Sequence, residues 1–185
     1  MIARKIKEKS NKTIKLKRVT ALDPAFPPFY PGLFYKPLNK KDADLVDVIH
    51  TDAWLYGAPV STGTVDFWPN NGKTLQPGCP KRNYKMLSDN DLCSHRRSWF
   101  FWAESVAAKD EKSFPAIKCK NYDNFKEGRC EQGAPLVYMG IDCPIDASGD
   151  YYLQTNAEPP YSKGMSGTAY ESKKAKTWSV ESFDF

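Results

Sequence analysis

Residues 14–24 read IKLKRVTALDP. Apolar and basic residues alternate through Lys17, and the run then turns apolar, the pattern of a strand entering a core. Pro24 biases Asp23 toward extended backbone and ends the strand at that residue. A carboxylate at the end of a buried strand stands where chemistry is commonly done. One buried strand that ends on an acid points to part of a mixed α/β sheet rather than to a sandwich. Working outward, Ala43–Ile49 (ADLVDVI) reads as a second buried strand ending at His50-Thr51-Asp52. A glycine-rich connection from Gly57 to Gly63 leads into Thr64–Trp68 (TVDFW), closed by the Pro69-Asn70-Asn71-Gly72 turn. SHRRSWFFWAESVAAKD, from Ser94, is the best helical pattern. Trp99, Phe100, Ala103, Val106 and Ala107 fall on one side of it, Ser94 is placed to cap it, and His95 lies in its first turn. Residues 114–133 read as loop, and Pro135–Ile141 and Asp150–Thr155 as two further strands.

At 185 residues the chain suits one domain with a sizeable core. An apolar content of 41% and an aromatic content of 14% exclude a disordered segment. No stretch approaches the roughly 18–20 apolar residues of a membrane span. The net charge of +5 is uneven: the first 18 residues carry eight Lys or Arg and one acid (Glu8), while the rest holds 19 basic and 21 acidic residues. The basicity therefore belongs to one end. Without aromatic residues interleaved there, a nucleic-acid partner is not expected. Residues 1–13 read as a basic tail with a thin apolar face, and the Ser-, Lys- and Gly-rich residues 161–185 as a poorly ordered polar tail.

Five cysteines stand at 79, 93, 119, 130 and 143, none in a C-x-x-C pair, and the only histidines are His50 and His95. A zinc site is not expected. Disulfides fit better, with Cys79–Cys93 and Cys119–Cys130 the sequence-near pairing and Cys143 left over. Connectivity is not fixed by sequence. Disulfides imply an oxidising compartment, yet MIARKIKEKSNKTIK has no apolar core of secretory-signal length.

Acyl transfer needs a nucleophile, a base that deprotonates it and an acid that orients the base. Asp23 and His95 suit the last two roles. The helix N-terminus disfavours imidazolium and helps keep His95 neutral, as a base must be.

Several segments resemble, in order, consecutive pieces of the neutral (pancreatic-type) lipase family of α/β-hydrolases, in its insect-like lipase and phospholipase A1 branch. They are VTALDPAFPPF at 19–29, DADLVDVIHTDA at 42–53, GTVDFWPNNGKTLQPGC at 63–79, CSHRRSWFFWAESV at 93–106, YDNFKEGRC at 122–130, and VYMGIDC with YYLQTN at 137–156. The resemblance implies the C-terminal part of a lipase catalytic domain over residues 14–160, an incomplete α/β-hydrolase with a mixed sheet, truncated before the nucleophile elbow. By it, Asp23 is the triad acid, His95 the triad base, and His50 structural. A lipid ester (acylglycerol or phospholipid) is the implied substrate, with transient contact at a lipid interface, secretion and no cofactor.

The chain departs from the family in one decisive respect. No G-x-S-x-G occurs, and the nearest imitation, Gly164-Met165-Ser166-Gly167, has the wrong spacing and follows His95. Upstream of Asp23 the only serine is Ser10. The expectation is a carboxylic ester hydrolase whose serine lies outside this chain, and the alternative an inactive lipase-like protein that binds lipid or a partner. The segment between Cys79 and Cys93 corresponds to the family's lid. It is short, and the connection from Trp54 to Thr64 is compact, the pattern of phospholipase A1-like members. In the stretch Pro37–Asp42, where some members hold calcium, a proline and two lysines stand among the ligand positions, and no metal is expected.

Overall fold

The computed structural model describes residues 2–27, 29–30, 32, 35–81, 85–108 and 112–172. Helix α1 (Ile2–Lys9) precedes strands β1 (Leu16–Leu22), β2 (Ala43–Ile49) and β3 (Val65–Pro69). Helix α2 (Cys93–Ala107), strand β4 (Pro115–Lys118), helix α3 (Tyr122–Lys126) and strands β5 (Val137–Tyr138) and β6 (Gly149–Leu153) follow. Six strands form one sheet in the order β1-β2-β3-β6-β4-β5. The first three contacts are parallel, while β4 runs antiparallel to both β6 and β5. The fold is a mixed sheet with few helices, a partial α/β arrangement.

β2 explains why the sheet is layered on both sides. Its alternate residues Leu45 and Ile49 join Val65, Phe67, Phe101 and Leu153 in the main core. Val46 and Val48 pack with Leu38 and Ala43 in a second cluster against Leu16, Val19 and Ala21. A strand buried on both faces reads as a continuous apolar run, as ADLVDVI does. The exceptions are Asp44, which is exposed, and Asp47, which is fully buried. Arg18 of β1 meets it with two parallel bonds of 2.9 Å, and Thr20 donates to the same carboxylate. The remaining donors of Arg18 reach the carbonyls of Gly140 and Ile141, and its guanidinium lies over the Trp102 ring of α2. One ion pair thus ties two strands, a loop and a helix.

The structure corrects several readings. Helix α2 does not bury the side carrying Trp99 and Val106, which are 47% and 51% exposed. It buries Ser94, Arg97, Ser98, Phe101 and Ser105, and the polar members of that face are bonded to their surroundings. Ser94 is not the cap but lies inside the helix, where its hydroxyl accepts the Gln76 amide. Residues 114–133 are not all loop. Pro115–Lys118 forms β4 between β5 and β6, and α3 begins where the Asn121 side chain accepts the Asn124 amide. Residues 161–172 are tied down, because Glu104 of α2 accepts the amides of Tyr161 and Ser162 and Gln154 bonds Glu171. Residues 173–185 lie outside the described residues.

Residues 2–9 form a helix despite their thin apolar face, held by one side chain. Arg4 bonds both carboxylate oxygens of Asp42 (2.7 and 2.8 Å) and the carbonyls of Lys36 and Pro37. Burial pushes the Asp42 carboxyl up, but bonds from Arg4 and the Asn39 amide outweigh it and hold it below the usual range. The 37–42 stretch does not fit a calcium ion, since a guanidinium already occupies its carboxylate and carbonyl oxygens.

Asp47→Ala leaves Arg18 without its carboxylate in a largely buried setting and costs about 3–5 kcal/mol in urea unfolding. Asp44→Ala, which removes the exposed partner of Lys15 and Lys17, leaves the midpoint unchanged. The free thiol of Cys143 is pushed up to about 12, first by burial and then by nearby Asp47, against Arg18. A disulfide-exchange reagent therefore labels Cys143 in urea and leaves it untouched in the native chain at neutral pH.

Candidate functional site

The chain leaves β1 at Asp23, whose carboxylate is buried at 1% exposure. An ionised carboxylate out of water requires donors, and they arrive from two directions. The backbone amides of Thr51 and Asp52, just past β2, donate to Oδ1 at 2.8 and 3.0 Å. His95, in the first turn of α2, places Nδ1 2.7 Å from Oδ2. Because an ionised carboxylate only accepts, Nδ1 carries the proton. Asp23 does not take the extended backbone expected before a proline: its φ is 47°, in the left-handed region. Its own amide bonds Ile49 and its carboxylate holds three donors, which together outweigh the local preference.

Gly57 completes the enclosure. It returns in a turn that bonds Asp52 and Trp54, and a Cβ there would overlap the Asp23 carboxylate. The residue before it, Tyr56, sets its ring 5.9 Å from the His95 imidazole and donates its hydroxyl to Asp91. Asp91 also accepts the Leu87 amide, so the segment preceding Cys93 is tied to the loop beside His95. From beneath, the His95 carbonyl accepts the hydroxyls of Thr51 and Ser98. From the other side, the Cys79–Cys93 disulfide fixes the chain two residues ahead. The second disulfide joins Cys119 to Cys130.

The His95 side chain is 32% exposed, and Nε2 makes no hydrogen bond among the described residues. Its pKa lies above the ordinary imidazole value, because the bond to Asp23 and that charge, with a contribution from Asp52, outweigh burial. The helix N-terminus therefore does not keep this histidine more readily neutral than usual; the aspartate decides. His50 is brought to neither residue. It is fully buried, bonded through Nε2 to Asp66 at 2.8 Å and stacked on Trp68 at 3.8 Å, as a structural histidine would be. Ser166 lies in the 3-10 turn at 164–168, exposed and bonded to the Lys163 carbonyl, and Ser10 caps its own turn near α1.

Sequence reading missed Tyr56, Gly57 and Asp91. Gly57 carries a signal in retrospect, as a glycine ending a tight turn shortly after the HTD segment. Tyr56 and Asp91 carry none, since their contact joins residues 35 apart in the chain. Among the described residues no group of three His, Cys, Asp or Glu is placed to hold a metal ion.

A raised His95 pKa makes the pair stabilising to the folded state where the imidazole is charged. That contribution is complete below the unfolded value of about 6.5 and is lost as pH rises through the higher folded value. Asp23→Asn retains an acceptor for the two backbone amides but removes the charge. It lowers the His95 pKa in an NMR titration, and its stability deficit is larger below pH 6.5 than above the folded pKa. An unmoved His95 titration would show that Asp23 does not control the imidazole.

A family model described as Lipase matches residues 3–161. The chain is 36% identical over 148 residues to Vitellogenin-3 of Drosophila melanogaster, covering 80% of this chain and 32% of that protein. It is 36% identical over 160 residues to Lipase member H-B of Xenopus laevis, covering 82% and 32%. It is 35% identical over 150 residues to Inactive pancreatic lipase-related protein 1 of Homo sapiens, covering 70% and 32%. The chain thus spans about a third of the length of these relatives. With the family model running from the first helix to Tyr161, where the clamped segment after β6 begins, the chain belongs to the lipase family.

Proposed function

We propose that this chain carries the acid and base of a serine-dependent carboxylic ester hydrolase acting on lipid esters. The observation that carries the reading is the Asp23–His95 bond, made through Nδ1 with Nε2 left open. In that role Asp23 holds the tautomer and stabilises the imidazolium. His95 Nε2 takes the proton of a serine hydroxyl as it attacks the ester, then returns it to the departing alcohol. No G-x-S-x-G among the 185 residues supplies that serine or its oxyanion hole, and without them little rate is expected.

The loops around His95 favour a lipid substrate. Trp54, Met86 and Leu87 are 60%, 76% and 65% exposed. They belong to the two segments that the Tyr56–Asp91 contact joins beside the imidazole. The 13 residues between Cys79 and Cys93 make a short cover, which supports a phospholipid sn-1 ester as strongly as a triacylglycerol. Secretion accords with the two disulfides.

A second reading, a catalytically inactive relative that binds lipid or a partner, has its own support. The chain has no nucleophile motif, and its relatives include one named inactive and one named a vitellogenin.

Mapping the 5′ end of the natural transcript, then assaying the encoded protein, separates the two readings. The hydrolase reading expects a frame continuing upstream through a G-x-S-x-G. Its product should release fatty acid from phosphatidylcholine or triacylglycerol and lose at least a thousandfold in kcat on His95→Ala. A message that begins at Met1, with no hydrolysis by its product, would overturn it.

A further inference from the structure

The basic end of the chain does not trail away from the body. Arg4 locks α1 onto the 36–42 loop, and between them lies a groove of about 450 Å3. Lys7 and Lys12 reach it from α1 and the turn after it, Lys36 and Lys41 from the loop. Of the two carboxylates lining it, Asp42 is taken up by Arg4, which leaves Glu8 alone against four ammonium groups. None of the four lysines forms an ion pair among the described residues, whereas Lys15 and Lys17 nearby share Asp44. The turn that brings Lys12 back is itself unusual. Its amide bonds the Lys7 carbonyl at 2.8 Å, and Asn11 and Lys12 hold φ values of 50° and 66°, where glycine is the ordinary choice.

We propose that this groove is a binding site for a phosphate monoester, presented as the headgroup of an anionic phospholipid. Four like charges around one concavity repel one another until an anion enters. A phosphate monoester, close to doubly charged at neutral pH, matches them, and ammonium groups on flexible stems can turn to any of its oxygens. The groove exceeds a bare phosphate and leaves room for the glycerol that bears it. Ile2 and Ile14, at either end of the α1 segment, are 76% and 54% exposed. They supply the apolar flanks with which a basic surface element settles on a bilayer. The site is separate from Asp23 and His95. The 36–42 loop enters β2 at Ala43, which pairs with Leu16 at the start of β1, whereas Asp23 follows the strand's end. It therefore stands whether or not the chain takes part in ester hydrolysis.

The test uses the full chain with glycerol 3-phosphate in calorimetry, and vesicles of phosphatidylcholine with and without a minor fraction of phosphatidate in flotation. Binding of glycerol 3-phosphate and of phosphatidate vesicles is expected, with no binding to phosphatidylcholine alone. The double variant Lys7→Glu/Lys41→Glu should weaken both at least tenfold, and Lys7→Gln/Lys41→Gln should do so less steeply. Lys112→Glu/Lys120→Glu, the same charge change on exposed lysines elsewhere, should leave both unchanged, with circular dichroism reporting the fold of each. Binding of glycerol 3-phosphate without vesicle binding would keep the phosphate site and overturn the lipid source. Equal losses in the two charge-reversed variants, or capture of duplex DNA or heparin but of neither phosphate probe, would overturn the site.

Discussion

A carboxylate removed from water at the end of β1 sets the terms for everything around it. Asp23 cannot remain ionised there without donors. The chain supplies them from the turn after β2 and from the first turn of α2, regions that share no local sequence. Meeting that demand places the imidazole, draws in Gly57 and forces Asp23 itself into left-handed backbone. Such a conformation costs about 1–2 kcal/mol, which three hydrogen bonds to a charged acceptor more than offset. The same contacts that enclose the acid therefore orient the base.

The rest of the sheet is cross-linked in a related way. Asp47 is met by Arg18, Asp42 by Arg4, and Asp66 by His50 and by the amides of Thr62 and Gly63. Glu104 takes two backbone amides from the segment after β6. Each acid ties together separate segments of the chain, from β2 and β3 in the case of Asp66 to α1 and the 36–42 loop in the case of Asp42. Pairs of this kind add less stability than apolar packing of equal volume, but losing one partner is severe. The apolar clusters on the two faces hold the layers together, while the buried charges fix their registry. Among the described residues β1 has a strand partner on one side only.

How far this was legible depended on whether the deciding contacts were local. Strands β1, β2 and β3 announced themselves through alternation and turn residues, and Asp23 and His95 stood out from the ordered likeness to lipase segments. The face of α2 did not, because its buried side is polar: Ser94, Arg97 and Ser105 bond Gln76, Pro77 and Ile141 from elsewhere in the chain, and Ser98 turns back on the His95 carbonyl of its own helix. β4 was hidden because PAIK is four residues long and becomes a strand only by lying between β5 and β6. Arg4 looked like one cation among many, and nothing near it in sequence points to Asp42, 38 residues on. The backbone of Asp23 ran against its own local rule, since proline biases the preceding residue weakly and the buried carboxylate overrules it.

The pairing of β3 with β6 joins Val65 to Gly149 and Pro69 to Leu153, with α2 and both disulfides contained in the chain between them. On a ribosome, β1 to β3 emerge as a parallel ribbon whose β3 edge stays bare until some eighty further residues have been made. Parallel pairing across so long a loop is slow to form, and an unpaired apolar edge invites association with other chains. His95 is synthesised about a third of the way through that interval. Its helix packs on a core that includes Leu153 and Tyr161, so the full support of that helix exists only once the chain beyond β6 has been made. For this chain the hazardous period is the time between β3 and β6, and a chaperone that shields a bare strand edge would act there.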